Sequence, residues 1–280
     1  MDNLFAKIMY DLAAAGVESP RLETRLLLAA AKNCNPAEIF TDTSLNEEQE
    51  RLVQQMAEQR VAHKPLDKIL GHREFYKADF DVDGNVLSPR PDTEILVEKA
   101  LQYMPSTAYT ILDLGTGSGC IIESILLERP KVYGVAVDVS AAALQVAQKN
   151  ALKLRVEKRL KLIEADWFNL NFTQKIGQKF DVIVTNPPYI PTKDIDALEP
   201  EVREYDPRKA LDGGADGFES YKRIAELVPD LLNDGGYVLI EAGVGQAGKI
   251  ADLFRQSGLK LIEIADDLSG IARCVVLQKA

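Results

Sequence analysis

The chain has 280 residues, of which 46% are hydrophobic and 27% are charged, and its formal net charge is −10. These values are typical of an ordinary soluble protein with one large domain, or one large and one small domain. Unspecific nucleic-acid binding depends on Lys and Arg contacts to phosphates, so the negative charge argues against stable nucleic-acid binding while leaving room for a local basic patch. The sequence shows no run of eighteen apolar residues and no charged-then-apolar leader. We therefore expect a cytoplasmic protein that does not enter a membrane.

The cysteines and histidines argue against a disulfide framework and a metal site. The chain has an odd number of cysteines, and they lie far apart in the sequence, at Cys34, Cys120 and Cys274. Such spacing fits neither a set of disulfides nor a zinc cluster, and the two histidines, His63 and His72, add little metal-binding capacity. We expect reduced thiols, mostly buried, and no metal.

Residues 1–73 are predicted to form a small helical bundle. Apolar residues recur there at spacings of three and four, the period of an amphipathic helix. Ser44, with Glu47 at the third following position, resembles a capping box at the start of the last long helix. No residue of this segment has an obvious chemical role. We therefore expect a packing domain or, alternatively, a module that docks a macromolecular substrate.

Residues 74–91 are predicted to form a β-hairpin linker, followed by a large domain at residues 92–280. Aromatic and β-branched residues flank Asp83-Gly84-Asn85, which is the pattern of two strands around a turn. Arg90 then stands between two prolines, whose stiff backbone gives its side chain a fixed direction. It is expected to bind a substrate or cofactor anion, or simply to mark the start of the next helix.

A strand, a glycine-rich loop and a helix follow, which is the nucleotide-binding start of a doubly wound α/β sheet. The strand is predicted at 110–114 and the helix at 120–127. The glycine spacing differs from the Gly-x-Gly-x-x-Gly dinucleotide fingerprint and from a Gly-Lys-Thr phosphate loop. With Asp113 before it and no Lys or Arg within it, the loop suits a cationic ligand better than a phosphate. The loop consists of Gly115, Thr116, Gly117, Ser118 and Gly119.

Two further strand ends carry acidic residues. The strand predicted at 132–137 ends in Asp138, whose carboxylate is placed either to accept hydrogen bonds from both ribose hydroxyls, each worth about 1.5–3 kcal/mol, or to cap a helix. The strand predicted at 161–165 ends in Asp166 and Trp167. Asp166 is expected to accept from an adenine amino group while Trp167 covers the ring, unless the tryptophan fills a gap in the core.

A third strand end has unusual hydrogen-bonding properties. Residues 180–184 are apolar and β-branched, as in a parallel sheet that is covered on both faces. Pro187 and Pro188 have no N–H and end the strand. Asn186 Oδ1 and the Pro187 carbonyl are left as adjacent acceptors for an –NH2 group, at the edge where α/β sheets bind ligands. Tyr189 adds a flat face for a planar amide or base.

We call Asn186–Tyr189 the cup. Alone, this tetrapeptide would indicate a turn, but its place after a buried strand and downstream of the glycine loop favours a binding site. Residues 191–217 lack periodicity and are rich in acidic residues and glycine, which predicts a mobile loop over the substrate. The remaining predicted elements are a helix at 221–232, a strand at 237–241, a helix at 247–257, and closing strands at 259–265 and 273–278.

The loop with Asp113, Asp138 and the cup together resemble class I, S-adenosylmethionine-dependent methyltransferases that act on exocyclic or amide nitrogens. Further motifs, spread over nearly the whole chain, resemble the PrmC/HemK family of protein-(glutamine-N5) methyltransferases of peptide chain release factors. These motifs are Pro65-Leu66 to Gly71, Pro89 to Glu94, Asn186 to Ile190, Glu199-Pro200, Ala210 to Gly217, and Gly235-Gly236 to Glu241.

This resemblance implies an α/β fold with a doubly wound, seven-stranded, Rossmann-like methyltransferase sheet and a small N-terminal helical domain. It implies S-adenosylmethionine as the cofactor and the glutamine of the release factors' Gly-Gly-Gln motif as the substrate, with the N-terminal helices contacting the factor. The cofactor residues would be Asp113, Gly115, Thr116, Gly117, Ser118, Gly119, Asp138, Asp166, Trp167 and Asn186. Substrate binding would fall to Arg90 and to the catalytic residues Asn186, Pro187, Pro188 and Tyr189.

The sequence departs from the family pattern at three places. Asp67-Lys68 stand where Gln-Tyr is usual, Ala242 follows Glu241 where the family has Ile, and residues 269–273 replace Gly-Arg-Asp-Arg. These positions lie outside the loop and the cup, so they concern substrate docking more than chemistry.

Two other functions compete with this interpretation. A DNA adenine-N6 methyltransferase would present the amine of a flipped base to the same acceptors. The acidic composition and the lack of a recognisable target-recognition domain argue against it. A non-catalytic adapter would bind a protein through the helical bundle and leave the methyltransferase fold idle, but the intact cup argues against that function.

Overall fold

The computed structural model describes residues 2–40 and 43–280. The chain divides into two compact units. The first contains the described residues up to His72 together with the segment Glu199–Tyr205. The second contains Arg73–Leu198 and Asp206–Ala280.

Helices form the first unit, as the apolar spacing predicts. Buried residues from three of them, including Leu12, Leu27 and Val53, form one hydrophobic core. The helices are α1 (Asp2–Ala14), α2 (Pro20–Lys32), α3 (Glu47–Val61) and α4 (Leu66–Leu70), with a 3-10 turn at Glu38–Phe40.

The start of α3 differs from the prediction. The backbone N–H of Gln49 donates to Asn46 Oδ1 at 2.9 Å, and the backbone N–H of Asn46 donates to Gln49 Oε1 at 3.0 Å. The predicted capping box of Ser44 and Glu47 is therefore wrong. Asn46 supplies an equally good acceptor further along the chain, and a glutamine stands at its third position.

The segment Glu199–Tyr205 joins the first unit through buried Arg60. The guanidinium donates from Nε to Glu23 at 2.6 Å and from Nη1 to Glu201 at 2.7 Å. Lys68, one of the departures from the family pattern, donates to the backbone carbonyl of Tyr205 at 2.5 Å. Sequence periodicity did not predict this attachment, because the partners are more than a hundred residues apart.

A small hairpin of β1 (His72–Phe75) and β2 (Ala78–Asp81) precedes the main sheet. Its turn lies at Tyr76-Lys77, with Tyr76 at φ 56°. A turn is also present at Gly84-Asn85, but it lies after β2, so the prediction that it joins the two strands of the hairpin is wrong. Phe75 and Phe80 are both buried, with ring centroids 6.1 Å apart, and their packing fixes the strands on either side of the earlier turn.

The second unit contains a seven-stranded sheet in the order β5-β4-β3-β6-β7-β9-β8, which confirms the predicted doubly wound methyltransferase sheet. Strands β3 to β7 are parallel, and β9 is antiparallel to both neighbours. The strands are β3 (Thr110–Leu114), β4 (Tyr133–Asp138), β5 (Leu160–Glu164), β6 (Phe180–Thr185), β7 (Leu232–Glu241), β8 (Leu259–Asp266) and β9 (Ala272–Lys279).

Helices cover both faces of this sheet. Because side chains alternate along a strand, Val182 and Ile183 of β6 enter different cores, one on each face. The helices are α5 (Glu94–Tyr103), α6 (Cys120–Glu128), α7 (Ala141–Lys153), α8 (Phe172–Ile176), α9 (Glu219–Leu231) and α10 (Ala247–Gln256). Shorter helical turns lie at Pro91–Thr93, Glu157–Arg159, Thr192–Ala197, Pro200–Arg203 and Arg208–Leu211.

The region predicted as an irregular loop, residues 191–217, contains three of these short turns. Their residues show no amphipathic period because each turn is only four to six residues long. In the described parts of the chain, every helix is too short or too polar to cross a membrane.

The register of β3 with its neighbours brings the predicted site residues together. Leu114 pairs with Val137 of β4 and with Thr185 of β6. The residues that directly follow these three therefore lie side by side at the carboxyl edge of the sheet. They are Gly115, Asp138 and Asn186.

Candidate active site

A cavity of about 930 Å³ lies at this edge of the second unit. The loop, the ends of β4 and β5 and the cup all contribute to its wall, as do residues of the Arg208–Leu211 turn. The predicted site residues that line it are Arg90, Gly115, Thr116, Gly117, Ser118, Asp138, Asp166, Trp167, Asn186 and Pro188.

The glycine loop lies directly against the indole of Trp167. Gly115 has φ 77°, a left-handed conformation that favours glycine. A Cβ atom there would lie 3.3 Å from two ring carbons of Trp167. The loop backbone is thus exposed to the cavity with no side chain at this position.

Asp138 is oriented by the loop and keeps free acceptor capacity. Its Oδ2 accepts from the Gly117 N–H and its Oδ1 from the Ser140 N–H, each at 2.9 Å. Burial raises the pKa of Asp138, and these hydrogen bonds oppose that rise. Ser140 caps α7 by accepting from the Ala143 N–H at 3.2 Å, so the helix-cap alternative for Asp138 is wrong. A carboxylate has about four lone-pair sites, so two remain for ligand hydroxyls.

Asp113, which was predicted to serve a cationic ligand, does not line the cavity. Its side chain is fully buried beneath the loop, where Oδ2 accepts from the Thr116 hydroxyl at 2.7 Å. Burial raises the pKa of Asp113 to about 7, and the charge of Asp138 adds to the rise. The side chain supports the loop from below. Gly119 likewise lies under the wall, packed on the buried carboxyl group of Glu123.

Asp166 and Trp167 line the cavity at the end of β5. Asp166 Oδ1 accepts from the Phe168 N–H at 2.8 Å, which fixes the carboxylate in a local turn. Trp167 also packs against the core, as the core-filling alternative predicts, while its covering of an adenine ring stays a prediction. Within residues 2–40 and 43–280, its buried Nε1 has no hydrogen-bond partner.

The cup presents Asn186 and Pro188 to the cavity, whereas Pro187 is buried. Tyr189 packs against the core, and burial raises the pKa of its hydroxyl to about 12. A Cβ atom at Gly243 would lie 2.9 Å from the Tyr189 ring. The predicted stacking of Tyr189 on a substrate amide therefore stays a prediction, since this ring now faces the core.

Sequence reasoning missed how the cup is held. Residues 210–217, which we call the strap, run along its back. The Ile190 N–H donates to the Leu211 carbonyl at 3.0 Å, and the Gly213 N–H donates to the Ile190 carbonyl at 2.8 Å. A Cβ atom at Gly213 would lie 2.7 Å from Tyr189 Cα, so only glycine allows this close approach. The glycines of the strap indicated a close backbone contact, but the sequence alone did not show that the cup is the segment they contact.

Two polar side chains behind Asn186 were also missed as site residues. Asn186 Nδ2 donates to the Thr93 hydroxyl at 3.5 Å, a long hydrogen bond. The side chains of Thr93 and Asn186 also interact with the carboxyl group of Glu241 and favour its ionised form, which lowers its pKa. Glu241 is 3% exposed, and burial raises its pKa to about 7. The sequence did offer one indication of this role, because Glu241 is a charged residue at the end of a predicted strand.

Arg90 lines the cavity but is not a free cation. Its Nη2 lies 2.9 Å from Oδ2 of Asp206, whose side chain is buried, while the Arg90 side chain is 46% exposed. The Arg90 side chain, whose direction was predicted to be fixed by the flanking prolines, therefore points to Asp206. Arg208 and Lys209 also line the cavity.

Residues 269–273, where the sequence departs from the family pattern, contact the start of the predicted large domain at residues 92–280. Arg273 Nη2 lies 3.0 Å from Asp92 Oδ2, and its Nε lies 3.2 Å from Asp267 Oδ2. The ion pair with Asp92 stands beside Thr93, which contacts the cup. This sequence departure thus preserves an arginine that braces the site.

Family comparisons agree with this architecture. Residues 105–270 match the family described as "Methyltransferase domain", and residues 3–71 match the "PrmC N-terminal domain". The chain is 41% identical over 270 residues to a release factor glutamine methyltransferase of Rhodospirillum rubrum, covering 96% of this chain and 82% of that protein. It is 43% identical over 267 residues to the Geobacter sulfurreducens protein of the same name, covering 94% and 91%. This chain belongs to the release factor glutamine methyltransferase family.

Solved structures show the same fold at low sequence identity. The catalytic domain of hMettl16, solved with an RNA hairpin, has a TM-score of 0.57 and 15% identity, covering 72% of this chain and 75% of that one. A Pyrococcus furiosus methyltransferase has a TM-score of 0.52 and 16% identity, covering 72% and 89%. At these identities, the likeness supports the methyltransferase fold alone.

Proposed function

We propose that this protein transfers a methyl group from S-adenosylmethionine to the side-chain amide nitrogen of the glutamine in the release factors' Gly-Gly-Gln motif. One observation carries the proposal. The Nδ2 end of the Asn186 amide donates to the Thr93 hydroxyl, and Asn186 interacts with the carboxyl group of Glu241 while it lines the cavity. Its oxygen is thereby available to accept from an –NH2 group.

The cavity residues fit the proposed cofactor. Asp138 retains two lone-pair sites for ribose hydroxyls, and the bare backbone at Gly115 allows close approach of a ligand. Trp167 offers an aromatic face, and Asp166 a carboxylate for an adenine amino group. When bound, the cofactor supplies a sulfonium-activated methyl carbon. The roles of these residues follow from their chemistry and their places in the wall.

The cup orients the nucleophile. An amide nitrogen is weakly nucleophilic because its lone pair is delocalised into the carbonyl. Asn186 Oδ1 and the Pro187 carbonyl each accept one N–H, so the remaining lobe of the nitrogen points toward the methyl carbon. Positioning of this kind supplies much of the rate enhancement in reactions between two bound groups. Because the cation formed when the amide nitrogen takes the methyl group is strongly acidic, it loses its proton to water and no strong base is needed.

The release factor is the proposed partner, and the cytoplasm is the proposed location. Support for the partner comes from the names of relatives that are about 40% identical over nearly the whole chain. Support for the location comes from three free cysteines, two of them buried, which suit a reducing compartment.

The test is methyl transfer from labelled S-adenosylmethionine to a full-length release factor. Matched substrates are the same factor with alanine at the motif glutamine and duplex DNA containing adenine. We expect label on the unaltered factor alone, with mass spectrometry placing the methyl group on the glutamine amide. Label on DNA, or equal label on the alanine-substituted factor, would contradict the proposal.

A further inference from the structure

Glu241 and Asn186 are brought together by strand register. Thr185 of β6 pairs with Ile240 of β7 in parallel orientation. Asn186 follows Thr185 and Glu241 follows Ile240, so the two residues lie at the same level of the carboxyl edge. Their meeting is a property of two rigid strands of the central sheet rather than of loops.

The contact selects one orientation of the Asn186 amide. An asparagine side chain can donate from one end and accept at the other, whereas a carboxylate can only accept. Asn186 Nδ2 donates to Thr93 Oγ1 at 3.5 Å. The interaction of Asn186 with Glu241 favours the ionised carboxylate, as expected if the Nδ2 end faces Glu241. With that end occupied, Oδ1 is the end left for the cavity.

The burial of the Glu241 carboxylate is energetically unfavourable. Glu241 is 3% exposed, and in the described part of the chain its Oε2 meets no hydrogen-bond donor. A buried carboxylate without full pairing is unfavourable. Buried ionisable groups with a strongly shifted pKa cluster at functional sites.

We propose that Glu241 is a positioning residue, whose carboxylate fixes the side-chain amide of Asn186 so that Oδ1 faces the substrate nitrogen. The inference rests on the proposed function, because it assigns a role in methyl transfer. Glu241 acts through Asn186 and Thr93 and does not touch the reacting atoms.

Protonation of Glu241 removes its ability to fix the orientation of the Asn186 amide. A carboxylic acid donates from its O–H, so the protonated side chain competes for Asn186 Oδ1 or permits the amide to flip. Burial raises the pKa of Glu241 to about 7, with Arg273 opposing and Asp92 adding to the rise. Groups from the surrounding elements that also interact with this carboxyl group are Tyr189, Tyr221, Cys120 and Cys274. Activity that needs the carboxylate therefore rises with pH through about 7.

The experiment compares wild type with Glu241→Leu and Glu241→Gln in the full-length protein. Glu263→Gln is the matched control, since Glu263 accepts from Lys99 and Tyr103 and lies outside the cavity wall. Cofactor affinity is followed by the fluorescence of Trp167, the only tryptophan of the chain, which lines the cavity. Retained affinity shows that a variant is folded.

We expect Glu241→Leu to lower kcat at pH 8 at least about 100-fold, with cofactor affinity and the KM for the release factor within about threefold of wild type. We expect Glu241→Gln, which can still accept, to lose about tenfold in kcat and to lack the decline below pH 7. A kcat of Glu241→Leu within threefold of wild type, or an unchanged acid limb in Glu241→Gln, would overturn the inference.

A measurement without substrate separates this inference from the proposed function. In the 15N-labelled protein, the side-chain NH2 signal of Asn186 should shift with pH around a midpoint of about 7 and should not titrate in Glu241→Gln. If release factor is not methylated while this signal titrates as expected, the substrate assignment fails and the pairing stands. A signal that does not titrate in wild type overturns the pairing.

Discussion

Asn186 and Glu241 leave neighbouring parallel strands at the same level, one residue beyond the Thr185–Ile240 pair. The side-chain amide of Asn186 interacts with the carboxyl group of Glu241 and favours its ionised form. The cavity wall thus contains an asparagine whose free end is set by the sheet itself. A rigid support of this kind is what a reaction limited by orientation requires.

Asp138 offers a direct test of cofactor binding. Asp138→Asn keeps an acceptor for the Gly117 N–H but removes the charge that strengthens hydrogen bonds to ribose hydroxyls. We expect S-adenosylmethionine to bind about 10- to 100-fold more weakly, as the loss of one charge-assisted hydrogen bond implies. Titration of Trp167 fluorescence measures this affinity. Asp79→Asn, which removes a carboxylate paired with Lys153 outside the cavity wall, serves as the control, and equal affinities in the two variants would exclude the ribose role.

Gly213 tests whether the strap positions the cup. In Gly213→Ala, the new Cβ atom would lie 2.7 Å from Tyr189 Cα and 2.9 Å from the Pro188 carbonyl, so backbone must move. Since displacements of about 1 Å in a site can cost 100-fold in rate, we expect kcat to fall about 10- to 100-fold. Gly248→Ala in α10 is the matched control, because a Cβ atom there meets nothing within 4 Å. Steady-state kinetics of both variants decide the matter, and equal kcat values would show that the strap tolerates the shift.

Glu123 tests the electrostatic cost of burial beneath the loop. Its carboxyl group is fully buried, and among the described residues it has no hydrogen-bond partner. Burial and the charge of Asp113 raise its pKa well above the ordinary value. A carboxyl group with a raised folded-state pKa stabilises the fold at pH values below its unfolded-state pKa and loses that contribution as pH rises through the folded-state pKa.

Glu123→Leu should therefore raise the free energy of unfolding by roughly 1–4 kcal/mol at pH 8 and by less at pH 5, because leucine has no charge to desolvate. Urea unfolding at the two pH values measures the difference. Glu128→Gln, near the end of the same helix and partly exposed, is the control. An equal gain for Glu123→Leu at both pH values would mean that packing, rather than ionisation, determines its effect.

The sequence predicted the sheet well where local patterns suffice. Thr110–Leu114 is a strand over the predicted residues, because a short apolar run meets a glycine loop at its end. The hairpin turn was misplaced, because Tyr76 takes a left-handed conformation that residue type alone does not indicate. The attachment of Glu201 to Arg60 has no local signature at all.

The site was predicted in composition but not in orientation. Ten of its predicted residues line one cavity, because parallel strand ends converge at one edge. Asp113 and Tyr189 do not line this cavity, since the direction of a side chain at a strand end depends on the packing of distant residues. The support from Thr93, Gly213 and Glu241 depends on strand register and on contacts between segments far apart in the chain. Such relationships are set by tertiary structure and leave little trace in a single sequence.

The most direct test of the proposed chemistry is single-turnover methyl transfer by Asn186→Ala with saturating S-adenosylmethionine and release factor. Removing one acceptor that orients the nucleophile should lower the rate about 100- to 1,000-fold. Cofactor affinity, read from Trp167 fluorescence, should stay within about threefold, because Asp138 and the glycine loop remain in place. A rate within threefold of wild type would contradict the role of Asn186 in orienting the glutamine amide.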